Sequence, residues 1–171
     1  LTSDPSVKGI WCVPRYSNPT GITYSYKVIQ RLAQMQTVPD FRIMWDNAYA
    51  EHHLTAQPAP LGDILTACNV AGHPERVLMF ASTSKMSFAG GGVAAMAASK
   101  LHIADARAKI KIRTIGPDKL NQLRQLRFFT DLVGLRAHMR EHARLLKPKF
   151  QLVQKILKRE QSILFVNQLK V

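Results

Sequence analysis

The chain has 171 residues, 46% hydrophobic and 20% charged, a balance that suits one globular domain with a real core and excludes a disordered chain. No apolar run approaches the length of a bilayer span, and the opening "LTSDPSVKG" lacks the basic and long apolar regions of a secretory signal. The net charge of +13 is one-sided: residues 1–99 carry 7 Lys and Arg against 6 Asp and Glu, residues 100–171 carry 17 against 5.

In chain order, "KGIWCVP" predicts a short buried strand over Ile10 to Val13. "YSNPTG" follows, with Asn18-Pro19 and Gly21 as turn punctuation. Ser25 is a candidate cap for a helix whose apolar face is Val28, Ile29, Leu32 and Met35, stopped by Pro39. "FRIMWDNAY" predicts a second strand, Phe41 to Trp45, closing on Asp46. A short helix from Asp63 to about Ala71, with Gly72 as its C-terminal stop, precedes a third strand, "RVLMFA". "GGVAAMAAS" predicts a fourth.

From about Ile103 the pattern turns helical, and Gly116-Pro117-Asp118 punctuates it. A long amphipathic stretch follows Asp131, with Leu135, Met139, Leu146, Phe150, Val153 and Leu157 on one face; Pro148 is expected to kink or split it. The closing "QSILFVNQLKV" suits a strand or a ragged end. Alternating strands and helices predict an α/β fold with a mostly parallel sheet and a helical C-terminal part. Cys12 and Cys68, far apart in sequence, form neither a disulfide framework nor a zinc knuckle, and read as reduced core thiols of a cytoplasmic protein.

Each of the first three strands hands over to polar residues at its carboxyl end: Asn18 after the first, Asp46 and Tyr49 after the second, Ser82, Ser84 and Lys85 after the third. Ligands of open α/β sheets bind beyond those ends, so the three clusters are expected to converge. A lysine amine, a carboxylate, a phenol, an amide and serine hydroxyls are the groups a pyridoxal 5'-phosphate site needs: amine for the aldehyde, carboxylate for the pyridine nitrogen, phenol and amide for the ring hydroxyl, serines for the phosphate.

On these residues the chain resembles fold-type I pyridoxal-phosphate aminotransferases. The carriers are "YSNPTG", "WDNAYAEHHL" and "STSKMSFAGGG", in that order. "KGIWCVPRYSNPTG", "RIMWDNAYAEHHL" and "TIGPDKLNQLR" are similar to a bacterial group of aspartate aminotransferases, and the likeness runs from about Val7 to about Glu160. It implies a three-layer α/β/α large domain over residues 1–130 and, over 131–171, a long helix leading toward a small domain. It implies Lys85 as Schiff-base lysine and proton-transferring base, Asp46 at the pyridine nitrogen, Tyr49 and Asn18 at the ring oxygen, and Ser82 and Ser84 at the phosphate. Ala48 stands where the family packs a small residue on the ring, and Asn18-Pro19 is a cis candidate.

The implied reaction moves an amino group from an amino acid, L-aspartate by the likeness, to a 2-oxo acid such as 2-oxoglutarate, in a homodimer. Many relatives carry an arginine shortly after the lysine; here the stretch is "MSFAGGGVA", whose backbone N–H groups are the candidate substitutes. The family's glycine-rich phosphate loop, ring-stacking aromatic and carboxylate-binding arginine have no counterpart in this sequence, so the chain is expected to be the central part of a large domain, cut on both sides.

Other readings differ in class. A cofactor-binding regulator or a lyase would share the fold. "HMREH", His138 to His142, matches the H-x-x-E-H pattern of a zinc peptidase, but an ordinary solvated helix face accounts for it, and no metal site is expected. "EHH", Glu51 to His53, reads as a loop leaving the second strand, because adjacent side chains diverge. The basic second half suits a nucleic-acid-binding module or a helical surface facing an acidic partner; without interleaved aromatics or a recognition motif, nucleic acid is the weaker reading.

Overall fold

A computed structural model describes residues 4–160, so the closing "QSILFVNQLKV" lies outside the described residues. The elements are β1 (Gly9–Cys12), α1 (Tyr26–Gln34), β2 (Arg42–Asp46), α2 (Ile64–Val70), β3 (Val77–Ser82), β4 (Ala94–Ala97), α3 (Lys100–Thr114), α4 (Lys119–Phe129) and α5 (Leu132–Arg159). The strands form one sheet in the order β1-β2-β3-β4. β1, β2 and β3 run parallel, joined through α1 and α2 as parallel crossovers require. β4 is the antiparallel edge, because residues 83–93 reverse the chain without a helical crossover. This is the α/β class and mostly parallel sheet that the alternation predicts.

Strand periodicity splits the sheet into two chemically different faces. Cys12, Ile43, Trp45 and Val77 lie on one face and pack with Ile29 and Ala33 of α1 and Ile64 and Cys68 of α2 in a single buried cluster. Complete burial of side chains such as Ile43 stabilises the fold by about 1.5–3 kcal/mol each. The register sets Trp11, Met44, Asp46, Phe80 and Ser82 on the opposite face. Trp11 is 63% exposed there and stacks on Phe80 with ring centroids 6.4 Å apart.

The helix starts follow local chemistry. Ser25, Asp63, Asp118 and Asp131 each accept a hydrogen bond from a backbone N–H in the first turn of the helix that follows. Asp63 also accepts from the Thr66 hydroxyl at 2.6 Å, and this bond holds its carboxyl below the usual carboxylate range. Gly72, just past α2, takes φ +80°, the left-handed conformation of a helix stop. α5 runs through Pro148 as one helix, so the proline does not split it. Burial on α5 concentrates at Met139, which joins Met86 and Phe129 in a second small cluster with Leu135 packed against it. No helix of the described residues is long and apolar enough to cross a membrane.

Candidate active site

The carboxyl edge of the parallel strands carries the polar residues. β2 ends on Asp46, whose Oδ1 accepts from the Ala48 N–H at 3.0 Å and whose Oδ2 accepts from the Trp11 indole N–H at 3.3 Å. Both bonds orient the carboxylate on the exposed face of the sheet. The ladder then continues for one bond, Asn47 N–H to the Phe80 carbonyl at 2.8 Å, before the chain turns through Tyr49 and His52. Asp46 pairs with Phe80 in register, and Ser82 lies two residues further on the same face, about 7 Å along the strand.

Beyond β3 the chain forms a tight turn. The Thr83 N–H donates to the Val93 carbonyl at 3.0 Å, and the Val93 N–H donates to Thr83 Oγ1 at 3.0 Å. Met86 and Ser87 both donate their N–H groups to the Thr83 carbonyl. Ser82 Oγ and Ser84 Oγ lie 2.7 Å apart, and the Ser84 N–H donates to Ser82 Oγ at 3.1 Å. Gly92 approaches Ser84 so closely that a Cβ there would overlap Ser84 Oγ. Lys85 is exposed, with Nζ 4.5 Å from the centre of the Tyr49 ring, a cation–π contact between the second and third clusters.

Asn18 is set differently. The Asn18-Pro19 bond is cis, and Gly21 turns the chain at φ +70°. Asn18 and Tyr49 line a cavity of about 330 Å³ shared with His52, His142 and Leu146. The structure thus joins Lys85 to Tyr49, Ser82 to Ser84 and Asp46 to the face of Ser82, whereas Asn18 meets the group only across this cavity.

The α5 histidines depart from the solvated helix face expected of them. His138 and His142 do not form a solvated face: both are half-buried. The His138 Nε2–H donates to the Met86 carbonyl at 2.8 Å, and the His52 Nε2–H donates to the Lys85 carbonyl at 3.0 Å. The signal was present, since His138 and His142 stand three and seven residues after Leu135, on the apolar stripe of α5. Burial pushes His52 below the ordinary imidazole range; its Nδ1 is buried without a partner among the described residues. Within the motif, Glu141 pairs with Arg144 at 2.8 Å, and no group of three or more metal-ligating side chains occurs among the described residues.

The donor set fits pyridoxal phosphate: an amine just beyond β3, a carboxylate held by two N–H groups on the same sheet edge, and paired hydroxyls two and four residues past the register partner of that carboxylate.

A Mycolicibacterium smegmatis protein named as an aminotransferase is 55% identical over 158 residues, which are 92% of this chain and 37% of that protein. A crystal structure of an aspartate transaminase from Corynebacterium glutamicum superposes with a TM-score of 0.88 at 46% identity, over 92% of this chain and 38% of that one. The fold also matches alpha-aminoadipate aminotransferase of Thermus thermophilus, solved with N-(5'-phosphopyridoxyl)-L-leucine, at a TM-score of 0.72 and 24% identity, over 88% of this chain and 37% of that one. The chain therefore spans less than two fifths of the length of the M. smegmatis relative. Residues 1–166 match the family model described as aspartate amino-transferase, and the chain belongs to that family.

Proposed function

We propose that this chain supplies the lysine, the pyridine-nitrogen carboxylate and part of the phosphate site of a pyridoxal-5'-phosphate-dependent aminotransferase. The observation that carries the reading is the meeting, at one sheet edge, of Lys85 over Tyr49, Asp46 on the exposed face, and the Ser82–Ser84 pair. When bound, the cofactor supplies an aldehyde for the lysine amine and a pyridinium ring that accepts electron density from the substrate carbon.

Lys85 Nζ would be the amine that holds the cofactor through its aldehyde and, once free, the general base and acid that moves the substrate's α-proton. Asp46, oriented by Trp11 and Ala48, would hold the proton on the pyridine nitrogen. Tyr49 and Asn18, which line one cavity, would hydrogen-bond the ring oxygen. The Ser82 and Ser84 hydroxyls, with backbone N–H groups of the following glycine-rich turn, would receive the phosphate. The substrates are an amino acid and a 2-oxo acid; family membership and the C. glutamicum neighbour's name favour L-aspartate as the amino donor, with 2-oxoglutarate proposed as the acceptor. The working protein is a cytoplasmic homodimer.

The test is a visible absorption spectrum with added pyridoxal phosphate, followed by borohydride reduction and mapping of the labelled residue. The expected result is a yellow band, covalently trapped on Lys85 and absent in Lys85→Ala. No band in a chain that circular dichroism shows to be folded means that this chain by itself lacks a working cofactor site; no band in a full-length relative as well overturns the reading.

A further inference from the structure

Two consecutive peptide carbonyls in the lysine turn, those of Lys85 and Met86, accept imidazole N–H bonds from separate parts of the chain. His52 comes from the turn after β2 and His138 from α5. His142, one helical turn beyond His138, fills the space between them: its ring lies 6.0 Å from that of His52, edge to face, and 6.4 Å from that of His138, stacked. His52 also packs edge-on against Tyr49 at 5.5 Å, the same ring that carries the Lys85 ammonium. Phe128 and Phe129 back His138 from the other side, at 5.1 and 5.6 Å.

We propose that His52 and His138 are positioning residues for Lys85, a two-imidazole clamp on consecutive carbonyls of its turn, with His142 as the spacer that keeps the two rings aimed. The inference rests on the aminotransferase reading only for what the lysine does; the clamp itself rests on hydrogen bonds and packing. Within the turn, the Met86 and Ser87 N–H groups close one loop of backbone bonds onto Thr83. The clamp adds ties from the Lys85 carbonyl to the β2 turn and from the Met86 carbonyl to α5. Lys85 then leaves a backbone fixed on both sides, so its long stem has fewer positions to search. The lowered pKa of His52, caused by burial, favours the neutral ring, with the single N–H on the nitrogen that faces the Lys85 carbonyl.

The test compares His52→Leu and His138→Leu with His52→Gln and His138→Gln, because a glutamine amide reaches about as far as Nε2 and can still donate. Hydrogen exchange at the Met86 and Ser87 amides, and the yield of Lys85 trapped by pyridoxal phosphate and borohydride, are read in each. Each leucine variant is expected to speed exchange at both amides roughly 10-fold, as loss of one hydrogen bond implies, and to lower trapping at fixed cofactor. The glutamine variants are expected to restore both.

Unprotected Met86 and Ser87 amides in the unaltered chain, wild-type exchange in both leucine variants, or glutamine variants as impaired as leucine ones, overturn the clamp. Faster exchange with unchanged trapping overturns the positioning role. The exchange readings need no cofactor, so failure of trapping in the unaltered chain counts against the aminotransferase reading while the clamp is still decided by exchange.

Discussion

Arg76 is a buried cation with a structural task, and its removal has a calculable cost. It stands immediately before β3 and is 6% exposed. Its Nη1 donates to the Ala33 carbonyl at 2.7 Å and to the Leu32 carbonyl at 3.4 Å, and its Nη2 donates to Thr37 Oγ1 at 3.3 Å. The two carbonyls belong to the last turn of α1, where a helix has no internal donors left to offer. The Arg76 carbonyl also accepts from the Ile43 N–H at 2.8 Å, so one residue ties the end of α1 to the starts of β2 and β3.

Arg76→Met keeps most of the stem and removes the fork. The one short charge-assisted bond is worth about 1.5–3 kcal/mol, and the two long ones add little. Against this, burial lowers the guanidinium pKa, and methionine relieves that desolvation. The balance is a loss of about 2 kcal/mol, or a fall in Tm of about 4–8 °C for a chain of this size. Circular dichroism melts, checked by urea unfolding, measure it. A methionine variant as stable as the parent would refute the argument and mean that water serves the end of α1 equally well.

Two more outcomes follow from buried titratable groups. Burial raises the Cys12 thiol and pushes that of Cys68 up to about 11, so both should resist dithionitrobenzoate at pH 8, labelling at least roughly 100-fold more slowly than a free thiol, and react in urea; rapid labelling of the folded chain would contradict this. Burial also depresses His52 and His53, with Arg15 adding to the effect on His53. The folded state then binds fewer protons than the unfolded one, so this contribution to stability is complete above the unfolded value of 6.5 and is lost as pH falls through the lower folded values. The urea midpoint should drop between pH 7.5 and 5.5, and the drop should shrink in His52→Gln; an equal drop in that variant would assign the effect to other groups.

Much of this protein was legible before folding. β1 to β3 are short apolar runs bounded by turn residues, and Ser25, Asp63, Asp118 and Asp131 are local caps, so near-neighbour chemistry decides where these elements begin. The candidate site was legible for the same reason: Asp46, Ser82 and Lys85 follow directly from strand ends, where a parallel sheet presents its side chains to a ligand.

Tertiary structure alone decided what spans the chain. The antiparallel direction of β4 depends on how residues 83–93 fold back, which the short run Ala94–Ala97 does not encode. Arg76 looks like any surface cation until α1 ends beside it, 43 residues away in sequence. His52 and His138 looked like a loop and a solvated face because their acceptors, the carbonyls of Lys85 and Met86, lie 33 and 52 residues distant. Side-chain periodicity reports which face is buried, whereas a hydrogen bond to a remote carbonyl depends on where two elements meet, and that meeting exists only in the folded chain.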